Sequence, residues 1–256
     1  MIVRQLVIEK HPASHGWLWI SHGYKLITRS PLHAISLAMV FATGVMAAML
    51  IPFGGIFLAV LAMPALIAGY MQVCRALEYS EKIQPLDIFA GFTTRPSALF
   101  SLGSMMLLGM FAISIVSAAL GGRELSAILE NFQADHDAMI LLNAMLAPES
   151  GLRFTVLISF ALFFVLMLSM QFAPMLVYFD RVAPFDALRV SLRASLRNFL
   201  PFTVYSLIMQ VITFVLSLVP YDLGLIFLLP LMLTSVYVAY RDIFNEVKPA
   251  QVDELI

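Results

Sequence analysis

Three histidines near the start of the chain, His11, His15 and His22, sit four and seven residues apart, so a continuous helix would carry them on one face. Imidazoles so placed suit zinc or copper. Pro12 breaks the register beside His11, and interfacial histidines also serve by meeting water or phosphate, so no metal and no other cofactor is assigned on spacing alone. His33 stands at the start of an apolar stretch without a second axial partner for haem. The sixteen methionines, among them Met105, Met106 and Met110, would be soft ligands for Cu(I). They come without cysteine or acidic partners, and flexible gap-filling between helices accounts for them.

A second pattern concerns anions. Between Pro184 and Phe199, at about 100° per residue, Phe185, Leu188, Leu192, Leu196 and Phe199 fall on one stripe and Arg189, Arg193 and Arg197 on the next. Pro184 and Asp186 suit a helix start. A helix of this kind, expected over residues 184–198, settles at headgroup level with its guanidinium groups against lipid phosphates. Lys25 and Arg29 are the matching cations of an earlier interfacial helix, His11 to Arg29, with Trp17, Trp19 and Tyr24 as interface anchors. These five cations are the candidate lipid-headgroup contacts. Hydrolase, phosphate-loop and metalloprotease motifs are missing, which argues against an enzyme.

These elements need a bilayer to position them. Of 256 residues, 61% are hydrophobic and 12% charged, against about 25% charged in a soluble domain. Lipid must be the solvent for most of that apolar surface. The net charge of −1 gives no reason to expect nucleic acid as a partner, and the single Cys74 excludes an internal disulfide. The first ten residues lack an apolar core, so no cleavable signal peptide is expected.

The pattern predicts an all-α, polytopic bundle of six transmembrane helices in one integral membrane domain. Residues 1–30 form an arm and interfacial helix, 31–240 the bundle and 241–256 a cytoplasmic tail. The spans run over about Pro31–Phe53, to Cys74, Ser97–Leu120, Leu152–Phe179, Leu200–Val219 and Leu223–Tyr240, with Pro64, Pro174 and Pro230 as kinks. The outer loop 121–151 is acidic and expected to hold one or two short surface helices. All of the fifteen lysines and arginines except Arg123 and Arg153 fall on one side of this scheme, which places both termini in the cytoplasm. Echoes link Pro64 and Pro85-Leu86-Asp87 with Pro174 and Pro184-Phe185-Asp186, Lys25, Arg29 and Pro31 with Arg193, Arg197 and Pro201, and Tyr70–Arg75 with Tyr237–Arg241. A duplication behind them would be parallel rather than inverted, but chance likeness among apolar helices is the simpler account.

The chain resembles an uncharacterised family of small six-span bacterial inner-membrane proteins. The likeness rests on Gly16-Trp17 with Gly23-Tyr24 before Pro31, on Ala173-Pro174-Met175-Leu176-Val177, on Asp186-Ala187-Leu188 with Ser191, on Arg197-Asn198, and on Tyr240-Arg241-Asp242-Ile243-Phe244. The central pattern is also similar to the membrane domain found beside some glycerophosphodiester phosphodiesterases, where a proline-ended span precedes a surface helix. Their soluble catalytic domain has no counterpart in this sequence, so that activity is not expected. The resemblance implies an inner-membrane location and no established biochemical role.

No Asp, Glu, Lys or Arg falls in the middle of a span, which argues against an ion-coupled pump. Two functions remain. One is a non-catalytic accessory or scaffold protein whose partners are phospholipid and other membrane-protein subunits. The alternative is a passive transporter or exporter of a lipid or small molecule, which requires a cavity lined by residues such as Gln171 or Gln210.

Overall fold

The computed structural model describes residues 7–135, 152–218, 224 and 226–244. Every regular element among them is a helix, with no strand. In chain order they are α1 (His15–Arg29), α2 (Pro31–Met49), α3 (Gly55–Tyr79), a 3₁₀ turn (Pro85–Phe89), α4 (Ala90–Thr94), α5 (Pro96–Asp135), α6 (Leu152–Met170), α7 (Ala173–Tyr178), α8 (Pro184–Arg197), α9 (Phe199–Ser217) and α10 (Leu228–Ile243). The chain divides into two compact units, one of residues Met1–Gly103 and Ser169–Ile256, the other of Ser104–Leu168.

Among the described residues, five stretches are long and apolar enough to cross a membrane: Pro31–Met49, Gly55–Tyr79, Pro96–Gly122, Leu152–Tyr178 and Phe199–Ser217. The expected sixth is reduced among the described residues to α10, whose 16 residues rise about 24 Å, short of the roughly 30 Å of hydrocarbon. It also carries buried Thr234, Ser235, Tyr237 and Tyr240, so this face of α10 packs against protein. The main-chain N–H of Glu9 donates to the carbonyl of Ile243 at 2.9 Å. The beginning of the described chain and the end of α10 therefore lie together.

Local sequence explains the boundaries. α2 and α8 open on proline, whose missing N–H costs nothing in a first turn. α3 ends on Ser80, which takes a left-handed conformation at φ 56°. Pro64 lies inside α3 as expected, while Pro174 opens α7 after the chain breaks at Gln171–Phe172. Pro230 is not a mid-span kink: it sits third in α10, where proline is tolerated. α5 runs on to Asp135 across Gly122, whose φ of 50° and ψ of −141° turn the helix. The proposed outer loop is thus helical at least to Asp135. Asp137, Glu149 and the tail beyond Phe244 lie outside the described residues.

A short or amphipathic helix followed by two apolar ones occurs as α1–α2–α3, as the 3₁₀ turn and α4 followed by α5 and α6, and as α8–α9–α10. The first two segments share a device. Arg29, just before Pro31, donates to the carbonyls of Leu77 and Glu78 at the end of α3. Arg95, just before Pro96, donates to Val177 O at the end of α7 (3.0 Å). In both, a guanidinium satisfies orphan carbonyls and meets the negative end of a helix.

Small residues set the spacing within the first unit. A Cβ on Gly16 would stand 2.4 Å from Pro201 O, and one on Gly23 2.7 Å from Ser235 Oγ, so α1 lies directly against α9 and α10. Gly55 approaches Ala48 O in the same way, but Gly44 meets nothing, so only the first of these small-residue positions is a helix contact here.

Candidate functional site

The polar residues of the first unit gather where α1, α3, the end of α8 and the end of α10 meet, and they form two adjoining groups. The first is a groove of about 230 Å³ lined by His22, Lys25, Leu26, Arg29, Glu78, Tyr237, Val238 and Arg241. His22, Lys25 and Arg29 share one exposed face of α1, and Arg241 comes from the last turn of α10. Tyr237 Oη donates to Glu78 Oε2 at 2.6 Å, and Arg241 stands 3.7 Å from the same carboxylate oxygen. Arg241 also donates to Tyr79 Oη at 2.7 Å and lies over that ring. Glu78 is thus occupied by Tyr237 and Arg241, and Arg29 by the end of α3. Lys25 and His22 present exposed ends to the groove. Three cations against one carboxylate give the groove a net positive field, suited to phosphate or carboxylate.

The second group surrounds Asp242, the residue after Arg241. Its Oδ2 receives a hydrogen bond from Trp19 Nε1 at 2.7 Å and lies 2.7 Å from His15 Nδ1. The His11 ring stacks on His15 with centroids 4.3 Å apart, and its Nε2 is 3.1 Å from Asp242 O and 3.7 Å from Asp242 Oδ2. Asn198, buried at the junction of α8 and α9, fixes the arm: its Oδ1 accepts from His11 N, and its Nδ2 donates to Glu9 O (2.9 Å) and Ala194 O (3.1 Å).

The three histidines predicted on one helical face are therefore divided. The helix begins at His15, Pro12 having ended its register, and His11 folds back in the arm. His22 faces the groove instead, and Asp242 takes its place beside the other two. Trp19, expected as a headgroup anchor, is 1% exposed and bonded to Asp242, whereas Trp17 (55%) and Tyr24 (61%) are open. An indole buried with its N–H on a carboxylate is a packing and positioning element.

α8 carries its predicted arginine row intact. Arg189, Arg193 and Arg197 are exposed, with Arg189 over the Phe185 ring at 4.2 Å. Phe185, Leu196 and Phe199 are exposed as well. What the stripe analysis missed is the third face, Ala187, Ser191, Ala194 and Ser195, which is buried, with Ser191 Oγ accepting from Phe172 N at 3.0 Å. Asp242, Arg241, Glu78, Tyr237 and Asn198 were also missed as site residues. Asn198, Arg241 and Asp242 stood in the motifs that carried the resemblance, and that was their signal.

In the second unit a cavity of about 370 Å³ is lined by Ile113, Ser117, Thr155, Val156, Ser159, Phe160 and Phe163. Neither it nor the groove has Gln171 or Gln210 in its wall.

Helices of this length and apolarity, closed at one end by charge, define a multi-pass integral membrane protein. A protein of Burkholderia thailandensis named a probable inner membrane protein is 28% identical over 204 residues, which cover 77% of this chain and 72% of that relative. No family model matches the chain, and no solved structure matches it. With the five apolar helices, the relative places the chain in the inner membrane.

Proposed function

We propose that this inner-membrane protein is a non-catalytic accessory subunit that holds the headgroup of an anionic phospholipid. The observation that carries the reading is the cationic groove, where Lys25, Arg29 and Arg241 face a single carboxylate already engaged by Tyr237. α8 supports it, with an exposed apolar stripe beside three exposed arginines, the arrangement of a helix lying on lipid. The distribution of lysine and arginine directs both groups to the cytoplasmic leaflet, where anionic lipid makes each cation worth about 1 kcal/mol. The carrier alternative gains nothing from the two cavities, since neither contains Gln171 or Gln210. The likeness to the membrane domain beside glycerophosphodiester phosphodiesterases remains one of sequence pattern and adds no activity.

Native mass spectrometry of the protein released from nanodiscs of phosphatidylglycerol and phosphatidylcholine tests the lipid. Retention of phosphatidylglycerol by the wild type is expected to fall several-fold in Lys25→Gln and further when Arg189, Arg193 and Arg197 are also changed to Gln. Retention that is equal for the two lipids, or unmoved by these changes, removes the reading. The accessory part is tested by purification in mild detergent: a stoichiometric protein partner supports it, and a chain that always runs alone rejects it.

A further inference from the structure

We propose that His11, His15 and Asp242 form a binding site for a divalent first-row transition ion, zinc foremost. The proposal is independent of the lipid groove. Two imidazole nitrogens and one carboxylate oxygen are the donor set of many zinc and non-haem iron sites. One atom from each of the three residues lies within 4.8 Å of the others. A tetrahedral ion with ligands at about 2.0–2.2 Å separates neighbouring donors by about 3.4 Å. The present separations bracket that value, 2.7 Å from His15 Nδ1 to Asp242 Oδ2 and 3.7 Å from His11 Nε2 to the same oxygen. The two rings are stacked with 23° between their planes, so binding requires them to turn out of the stack until both nitrogens point at the ion beside Asp242. The Glu9 carboxylate, 3.9 Å from His11 Nε2, is the next donor outward.

The supporting shell is already built. Trp19 Nε1 holds Asp242 Oδ2 from one side, leaving the other lone pair of that oxygen for an ion. Asn198 holds the main chain of His11, and so the arm, at the required distance. The donors are neither sealed nor fully wet: the side chains of His11, His15 and Asp242 are 11%, 24% and 31% exposed. That leaves room for water to complete the coordination. The ion would replace the hydrogen bond between His15 Nδ1 and Asp242, with the imidazole carrying its proton on Nε2 instead. It would also tie the arm before α1 to the last turn of α10.

The test uses the full-length protein, carrying an affinity tag without histidine, stripped with chelator in detergent and titrated with Co²⁺ and then Zn²⁺. The expected result is one Co²⁺ per chain with a visible d–d band that Zn²⁺ displaces. His11→Ala and Asp242→Asn should abolish the band, and His22→Ala should leave it unchanged. Trp19→Phe keeps an aromatic ring in the core but removes the bond to the carboxylate, and should weaken binding about 10–100-fold. Failure of the wild type to bind close to one equivalent overturns the proposal, and shows that the cluster is a hydrogen-bonded clamp alone. So does a loss in His22→Ala equal to that in His11→Ala. Where a variant does not fold, the wild-type stoichiometry and the Trp19→Phe titration decide the matter.

Discussion

The two units are built from equally apolar helices but use them differently. In the first, Trp19, Tyr70, Phe172 and Tyr237 are all but fully buried, and the buried hydroxyls and amide of Ser191, Ser195, Thr234, Ser235 and Asn198 lie among them. In the second, Leu108, Phe111, Phe154, Leu157 and Phe160 are each more than 60% exposed. In water the second arrangement would aggregate. In lipid, apolar side chains gain nothing by leaving the hydrocarbon, so burial there follows from close packing and hydrogen bonding. Burial in this protein thus marks where the chain specifies a geometry, and exposure marks where it is only solvated.

The sharpest way to break this comparison is to add a methyl group to a glycine in each unit. A Cβ on Gly69 would lie 1.8 Å from Ile88 O in the 3₁₀ turn, and one on Gly91 in α4 2.1 Å from Ala65 O in α3, backbone atoms that cannot yield without separating these elements. Gly69→Ala is expected to cost about 3 kcal/mol or more, at the upper end of overpacking, and to lower the thermal midpoint in detergent by many degrees. Gly109 in the second unit meets only the methyl ends of Leu166, at 2.9 Å, which can turn away. Gly109→Ala should cost below about 1 kcal/mol, with helix propensity offsetting part of it. Equal shifts in the two variants would erase the distinction.

The next effect concerns the polar side of the same contrast. Asn198 bonds to His11 N, Glu9 O and Ala194 O from a fully buried position. Asn198→Ala leaves partners of the arm unsatisfied and is expected to cost about 1–3 kcal/mol. The arm should also become accessible to protease while the helices persist, a change read by the cleavage rate near His11. An arm as resistant as that of the wild type would mean that the His15–Asp242–Trp19 bonds suffice to hold it.

The long apolar helices were legible in the sequence because a membrane span is a composition: 19 to 27 residues with hardly a charge. The arginine row was legible because a surface helix is a period. α10 was legible as an apolar helix but its packing was not, because buried Thr234, Ser235, Tyr237 and Tyr240 pass the same hydropathy window as a lipid-facing helix while facing protein. Trp19 was misplaced for a related reason. Trp17, Trp19 and Tyr24 have one residue chemistry, and only the pairing of α1 with α10 decides which of them turns inward. The two polar groups were illegible as sites because their members lie more than 150 residues apart, as with His15 and Asp242 or Tyr237 and Glu78. No period links them. What the sequence did carry was the glycines at 16 and 23, whose spacing marks the face where α1 closes on its neighbours.

The smallest expected effect lies in the second unit, where Ser117 Oγ and Ser159 Oγ approach to 2.6 Å and could be taken for a polar lock between α5 and α6. Each hydroxyl has a single proton, and each can give it to its own helix, Ser117 to Ile113 O at 2.8 Å and Ser159 to Thr155 O at 2.6 Å. The interhelical bond forms only when one of these is surrendered, so its net worth is the difference between two similar bonds. A double-mutant cycle with Ser117→Ala and Ser159→Ala should therefore return a coupling of about 0.6 kcal/mol or less, as is common between membrane helices. A coupling above about 1.5 kcal/mol would show that the second unit also relies on a polar contact to define its geometry. The division between a specified unit and a solvated one would then fail at its weakest point.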